Sequence, residues 1–263
     1  MLLQNKTAVV YGAGGAVGSA VARAFASEGA TVFLTGRNVA LLDKVAADII
    51  AEGGKAETAT VDALDEDEVE KHLDETVEKT GGIDVSFNAI GIPQQDIQGT
   101  RLAELNADNF MLPIATYAKA NFLTARGAGR RMAERRSGVI LMHTPSPARL
   151  GNALVGGMGP AWAAMEALSR ALSSEFGPQG IRAVCLRSTG IPETKTIDVV
   201  FGLHAKALDI SRQQFQSFIE GMSHRRRSTT LAELANVATF LASDRAAAMT
   251  GAVANLTGGL IVD

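Results

Sequence analysis

A glycine-rich turn close to the start of the chain constrains the fold more than any other feature. The short apolar run Thr7–Tyr11 leads into a cluster of glycines, which comprises Gly12, Gly14, Gly15 and Gly18. An alanine-rich amphipathic pattern follows, so the order predicts a strand, a tight turn and a helix. Glycine permits positive φ and close approach of a ligand, and a helix N-terminus directs free N–H groups towards an anion. The turn therefore favours a dinucleotide pyrophosphate, with a plain strand-to-helix turn as the alternative.

Strand-like and helix-like segments alternate along the whole chain. The predicted strands are residues 6–11, 31–35, 55–61, 83–88, 139–143, 181–186 and 252–256. Parallel strands need crossover connections, and those are right-handed, so this alternation predicts a parallel sheet with helices on both faces. We predict a single Rossmann-type α/β domain over residues 1–263, with a doubly wound sheet of about seven strands in the order 3-2-1-4-5-6-7.

The two longest helical patterns follow the fourth and fifth predicted strands. They cover residues 113–136 and 160–176, and Pro160 lies in the first turn of the second one, where its missing N–H is tolerated. Residues 92–112 are predicted to be irregular, and residues 192–230 form a longer, polar and mixed segment. Ligands of such sheets bind at the carboxyl ends of the strands, so we expect the functional residues in the loops there.

The composition excludes several classes of partner. With 46% apolar residues the chain can bury a sizeable core, and a net charge of −3 gives no reason to expect nucleic acid or an anionic membrane as a partner. No apolar run approaches the length of a membrane span, and the start of the chain does not resemble a signal peptide. Cys185 is the only cysteine, which excludes an intrachain disulfide and favours a cytoplasmic location. No spacing of ligand-type residues suggests a metal site.

Several stretches together resemble the short-chain dehydrogenase/reductase family over essentially the whole chain. They are the turn from Gly12 to Gly18, Asp62 after the third strand, Asn88–Gly91 after the fourth, Thr189–Thr194 after the sixth, and the C-terminal stretch of residues 233–259. The resemblance implies a nucleotide-dependent oxidoreductase. It also implies a set of cofactor-binding residues, namely Gly12, Gly14, Gly15, Gly18, Arg37, Asp62, Asn88, Gly91 and Thr194.

The end of the second strand indicates which nucleotide is preferred. An acidic residue at this place accepts the ribose hydroxyls of NAD and repels a 2′-phosphate. Here the place is taken by Gly36, and Arg37 follows it. A guanidinium can pair bidentately with a phosphate, and family members with this arrangement generally prefer NADP. We therefore predict NADP(H) rather than NAD(H), with an ordinary surface charge as the alternative for Arg37.

The residues that perform the chemistry of the family are missing. Members use an Asn in the long helix, a Ser after the fifth strand, and a Tyr and a Lys four residues apart at the start of the next helix. Alignment places these positions at Tyr117, Pro145, Met158 and Trp162. The enoyl-reductase variant of the family spaces its Tyr differently, but that position is Val155.

These replacements predict the loss of the usual proton transfer. An indole carries one N–H and no charge, so Trp162 cannot lower the pKa of a neighbouring phenol as an ammonium does. General acid–base catalysis contributes roughly 10²–10⁴ in rate. Tyr117 could act instead as an acid, or it is a packed aromatic residue. His143 could titrate near neutrality, or it is a hydrogen-bonded residue at a strand end. Lys119 or Lys195 could supply charge.

Two functions stay open at this point. The first is an NADP(H)-dependent oxidoreductase that acts through a non-standard site on a small, mostly apolar carbonyl or enoyl compound. The second is a catalytically inactive relative that serves as a cofactor sensor or a scaffold subunit. Residues 192–228 match the variable substrate-covering segment of the family and are rich in large apolar side chains, which favours an apolar ligand.

The resemblance also implies self-association. Members of the family commonly assemble by pairing the long helix and the helix that follows it. We therefore predict a homodimer or homotetramer formed through residues 113–136 and 160–176.

Overall fold

One parallel sheet of seven strands forms the centre of the molecule, for which the computed structural model describes residues 1–262. Its strands are β1 (Thr7–Tyr11), β2 (Thr31–Gly36), β3 (Lys55–Thr60), β4 (Val85–Asn88), β5 (Gly138–Pro145), β6 (Ile181–Ser188) and β7 (Val253–Leu256). They lie in the order β3-β2-β1-β4-β5-β6-β7, and every neighbouring pair is parallel. The predicted topology is confirmed.

Eight α-helices of the described residues cover the two faces of this sheet. They are α1 (Ala16–Ser27), α2 (Val39–Ala51), α3 (Glu66–Thr80), α4 (Ala107–Arg135), α5 (Met158–Phe176), α6 (Lys195–Ala207), α7 (Arg212–Met222) and α8 (Leu231–Ala242). The cores of α1, α2 and α8 lie on one face, and those of α3, α4 and α5 lie on the other. Alternate residues of each strand supply both cores, since successive side chains point to opposite faces. None of these helices is long and apolar enough to cross a membrane.

The start of the long helix differs from the prediction. α4 begins at Ala107, so the expectation that residues 92–112 are irregular throughout is wrong for its last part. Asn106 caps the helix by accepting a hydrogen bond from the Asn109 N–H at 2.8 Å. Pro113, at which the prediction began, lies inside the helix and leaves one carbonyl without its N–H partner. A capping side chain therefore sets the boundary, and the proline only interrupts the hydrogen-bond ladder.

Two helices occupy most of the segment that was expected to be mixed. Thr194 caps α6, and Ser211 and Gln214 form a capping box at the start of α7. The two helices pack through a small apolar cluster of their own, in which the rings of Phe201 and Phe215 lie 5.3 Å apart, edge to face.

The fifth and sixth strands run two residues beyond their predicted ends. The ladder continues through the pairs Thr144 with Arg187 and Pro145 with Ser188. Pro145 has no N–H to donate, which suits the last position of a strand. The extension matters because it brings these four side chains to the carboxyl edge of the sheet.

Candidate functional site

The turn after β1 is built so that only glycine fits at two of its positions. Gly12 has φ +71°, and a Cβ placed there would lie 2.7 Å from the Ala89 carbonyl oxygen. A Cβ at Gly18 would collide with the Gly12 carbonyl oxygen, because α1 approaches β1 closely there. Gly15 precedes α1 in an extended conformation and offers no side-chain cap. The first N–H groups of α1 thus point into the cleft without a side-chain acceptor, which is the arrangement that binds a phosphate.

A cationic side chain lies next to this turn. Arg37 follows β2, is exposed, and has no hydrogen bond or ion pair within residues 1–262. Its neighbour Asn38 caps α2 by accepting from the Leu41 N–H at 3.2 Å. Leu41 in turn packs over Gly14, where a Cβ would lie 2.9 Å from its own Cβ. The start of α2 therefore holds Arg37 beside the glycine turn with its donors unused.

Three other predicted cofactor residues lie at the same edge of the sheet, and two of them make hydrogen bonds within the protein. The Asp62 carboxylate accepts from the Leu64 N–H at 3.0 Å. Thr194 accepts from the Ile197 N–H at 3.2 Å and thereby caps α6. Gly91 is exposed, and a Cβ on it would meet nothing within 4 Å. A small residue at position 91 is therefore not required by packing, unlike Gly12 and Gly18.

Asn88 joins β4 to the long helix. Its amide N–H donates to the Thr124 hydroxyl at 3.0 Å, and its Oδ1 accepts from the Ile90 N–H at 3.1 Å. The side chain is 5% exposed. Asn88 therefore shapes the loop that lines the cleft, and its polar atoms are already satisfied.

Three of the four positions predicted for the catalytic residues lie in the core on the face of the sheet that α3, α4 and α5 cover. Met158 is fully buried, and Tyr117 and Trp162 are 7% and 8% exposed. The rings of Tyr117 and Trp162 lie 6.4 Å apart and are tilted to each other. An aromatic pair and a thioether thus occupy three of the positions predicted for the catalytic residues.

The phenol of Tyr117 does not ionise near neutrality. Burial raises the pKa of Tyr117 to about 12, opposed only in part by a hydrogen bond with the backbone of Ile92. An ammonium would be needed to lower this pKa. Lys119 is exposed on another face of α4, and Lys195 is exposed at the start of α6. Neither lysine forms an ion pair within residues 1–262.

His143 lies one pleat before Pro145 on the same face of β5. Its Nε2 is 2.8 Å from the Ser188 hydroxyl, which itself donates to the Thr189 carbonyl oxygen at 2.8 Å. A hydroxyl has one proton, so His143 donates from Nε2. Burial, with no charged partner to oppose it, lowers the pKa of His143 to about 4. Of the two interpretations of His143, the hydrogen-bonded residue at a strand end agrees with this geometry, and the lowered pKa does not favour titration near neutrality.

A buried ion pair below these positions has no counterpart in the sequence predictions. The Arg187 guanidinium donates from Nε and Nη2 to the two carboxylate oxygens of Glu166 at 2.8 and 2.6 Å. The Thr144 hydroxyl donates to the same carboxylate at 3.0 Å. Glu166 lies one turn after Trp162 on the buried face of α5. A charged residue within an apolar helical stripe was the available signal, since such residues are rarely buried without a partner.

Two further points concern potential metal ligands and the single cysteine. Within residues 1–262, no three His, Cys, Asp or Glu side chains are grouped so that they could hold a metal ion. Cys185 is fully buried in β6, and burial raises its pKa to about 12, as expected of a structural rather than a reactive thiol.

Comparison with known proteins matches the chain over nearly its whole length. A family model described as enoyl-(acyl carrier protein) reductase matches residues 12–261. The uncharacterised oxidoreductase YxbG of Bacillus subtilis is 30% identical over 98% of this chain and 92% of its own length. The L-rhamnose 1-dehydrogenase (NAD(P)+) of Azotobacter vinelandii is 30% identical over 100% of this chain and 99% of its own.

Solved structures show the same fold. An NAD+-bound xylitol dehydrogenase superposes with a TM-score of 0.93 at 24% identity, covering 98% of this chain and 100% of that chain. A variant of actinorhodin polyketide ketoreductase with NADPH gives a TM-score of 0.88 at 24% identity, covering 97% of each chain.

Proposed function

Because the chain belongs to the short-chain dehydrogenase/reductase family of oxidoreductases, whose members bind NAD(P), we propose that it binds NADP(H) at the turn after β1. Gly12, Gly14, Gly15 and Gly18 let the backbone approach the pyrophosphate, and the uncapped start of α1 supplies its N–H groups. The observation that supports the NADP preference is Arg37, whose unused guanidinium directly follows Gly36, the position at which an NAD site keeps a carboxylate.

The remaining predicted residues frame the same cleft. Asp62, Asn88, Gly91 and Thr194 all lie at or just beyond the carboxyl ends of β3, β4 and β6. When bound, the nicotinamide donates or accepts a hydride. The protein around it is largely apolar, because Tyr117, Met158 and Trp162 lie where polar groups would otherwise stand. We propose a small, mostly apolar carbonyl or enoyl compound as the substrate.

We expect this site to turn over its substrate slowly. Hydride transfer to a carbonyl or enoyl leaves an anion that must be protonated. Tyr117 has a pKa of about 12 and is buried, and neutral His143 already donates its Nε2 proton to Ser188. Without a positioned acid we expect a rate lower by roughly 10²–10⁴ than that of a complete site.

A second candidate function is favoured by the packing of the catalytic positions. Tyr117, Met158 and Trp162 are part of a hydrophobic core, and none of the three is a charged or readily ionised group that could face a substrate. A nucleotide sensor or a scaffold subunit needs no such group. In this alternative the protein binds NADP(H) and transfers no hydride.

Nucleotide titration tests the shared part of both proposals. We expect NADPH to bind more tightly than NADH, as followed by calorimetry. Loss of charge-assisted hydrogen bonds in Arg37→Ala should weaken NADPH binding about 10–100-fold and change NADH binding less than about twofold. Arg245→Ala removes an exposed arginine that follows α8 and serves as the matched control. Equal loss in both variants, or no binding of either nucleotide to the wild type, contradicts the proposal.

Hydride consumption separates the two candidates. NADPH oxidation is measured against a panel of small apolar carbonyl and enoyl compounds. Slow turnover above the rate without enzyme supports the oxidoreductase, and tight NADPH binding without turnover supports the sensor or scaffold.

We further propose that the protein acts in the cytoplasm as a homodimer or homotetramer that pairs through α4 and α5. The outer face of α4 exposes large apolar side chains, namely Met111, Leu112 and Phe122. Phe122→Glu should then shift the sedimentation coefficient towards that of a monomer, and a monomeric wild type contradicts the proposal.

A further inference from the structure

Three buried polar side chains form a chain of hydrogen bonds outside the nucleotide cleft. They are Gln94 and Gln98 in the loop after β4 and His204 in α6, at 6%, 5% and 7% exposed. Gln94 Nε2 donates to the Ile92 carbonyl oxygen at 2.6 Å, and Gln98 Nε2 donates to Gln94 Oε1 at 2.6 Å. His204 Nε2 lies 3.1 Å from Gln98 Oε1. Since that oxygen can only accept, His204 is the donor.

The two ends of this chain reach different parts of the molecule. At one end, the backbone of Ile92 also bonds to the phenol of Tyr117 in α4. At the other end, the ring of His204 packs against Phe215 of α7 at 5.2 Å. Burial holds the pKa of His204 below its ordinary value, so the ring is neutral and carries a single N–H. The chain thus connects the aromatic pair with the two helices of the predicted substrate-covering segment.

Backbone contacts reinforce the same junction. The Gly99 N–H donates to the Leu154 carbonyl oxygen at 2.8 Å, which ties the loop after β4 to the loop after β5. Gly99 has φ +82°, and a Cβ there would lie 3.0 Å from the Leu203 carbonyl oxygen in α6. Leu154 itself has φ +66°, a conformation that a leucine rarely adopts. The loop after β4 therefore contacts both α6 and the loop that leads into α5.

We propose that Gln94, Gln98 and His204 form a latch that holds α6 and α7 closed over the loop after β4. The latch rests on the proposed function in that these helices are taken as the substrate-covering segment. Separation of α6 from the loop breaks the bond between His204 and Gln98 and leaves both groups unpaired until water reaches them. A ligand that enters beneath the segment must therefore open this bond or bind with it closed.

Hydrogen exchange of the free protein tests the latch without any nucleotide. Gln98→Leu removes both bonds of the central residue, and His204→Phe keeps an aromatic ring against Phe215 and removes only its bond. Loss of a buried hydrogen bond should accelerate the exchange of α6 amides about tenfold in both variants. Trypsin cleavage after Lys206 should accelerate in parallel, while β1 amides stay within about twofold of the wild type.

Thr239→Val is the matched control, because it also removes a buried hydroxyl bond, within α8 and away from the segment. Unchanged α6 exchange in both latch variants overturns the proposal, and so does an equal acceleration in Thr239→Val. If Gln98→Leu does not fold, His204→Phe decides the matter alone. Failure of NADPH binding by the wild type would refute the proposed function and leave this exchange result standing.

Discussion

Two parts of the molecule differ in how far they keep the residues expected of the family. We call the region around β1, α1 and β2 the nucleotide half and the region around α4 and α5 the catalytic half. Around β1, α1 and β2, Gly12 and Gly18 are kept at positions where any side chain would collide with backbone. Around α4 and α5, Tyr117, Met158 and Trp162 occupy the positions predicted for the proton-transfer groups and pack in the core. The packing of the fold itself requires these glycines, so their presence does not by itself indicate that a nucleotide binds. Arg37, which no packing contact requires, is therefore the better indicator of the ligand.

The largest expected effect lies in the catalytic half. Arg187→Met leaves the Glu166 carboxylate buried without its cation, which should lower the free energy of unfolding by about 3–5 kcal/mol in urea denaturation. The double variant Glu166→Met with Arg187→Met removes both charges and should stay within about 1.5 kcal/mol of the wild type. A double variant as unstable as the single one would show that the pair holds this half together by more than mutual neutralisation.

Acid stability is expected to depend on a buried histidine between α3 and β2. His72 of α3 is buried against Phe33, and burial lowers its pKa from 6.5 to about 4. The unfolded chain binds this proton more readily, so the stability from this group is complete above about pH 6.5 and is lost as the pH falls through about 4. Between pH 7 and pH 5 the loss should be about 2 kcal/mol.

Denaturant unfolding at several pH values measures this dependence. His72→Leu should flatten the profile by that amount, because neither ring nitrogen of His72 has a hydrogen-bond partner among residues 1–262 and the leucine has no proton to gain. A profile as steep in the variant as in the wild type would assign the acid sensitivity to other groups, of which His143 with its similar pKa is the first to examine.

In the nucleotide half, two glycines should respond very differently to the same substitution. Gly12→Ala forces a positive φ on alanine and brings its Cβ against the Ala89 carbonyl, so it should cost about 1–3 kcal/mol of stability and weaken NADPH binding. Gly91→Ala places its Cβ in open space and should change stability by less than about 0.5 kcal/mol. Thermal unfolding of both variants, followed by NADPH titration, checks the contrast. Similar effects would mean that the turn adjusts more easily than its geometry indicates.

The sequence predicted the sheet order because the periods of its strands and helices are clear and crossover handedness leaves few topologies. It also placed Trp162 and Met158 at the start of the second long helix, where the structure has them. It could not predict the pairing of Glu166 with Arg187, or of Gln98 with His204. Those contacts join residues that are distant along the chain, and a pattern that indicates burial, such as that of Glu166 in its apolar stripe, does not identify the partner.

The pKa of His143 shows the same limit in physical terms. A histidine at a strand end is expected near its ordinary pKa unless its surroundings are known. Here the neighbouring Ser188 hydroxyl offers a hydrogen bond but no charge, so burial alone decides the shift. Whether a strand end is solvated depends on the helices and loops above it, which the local sequence does not specify.

Tyr117→Phe is expected to have only a small effect on stability, yet it tests the catalytic half most directly. Tyr117→Phe removes the phenol that bonds to the Ile92 backbone and keeps the ring against Trp162, so stability should fall by about 0.5–1.5 kcal/mol. NADPH binding should stay within about twofold, since the glycine turn and Arg37 lie around β1, α1 and β2, away from Tyr117. If the wild type turns over a substrate and Tyr117→Phe abolishes that turnover, the buried phenol is the acid despite its high pKa. If turnover persists, protons come from water, and the aromatic pair serves only to pack the place of the missing catalytic residues.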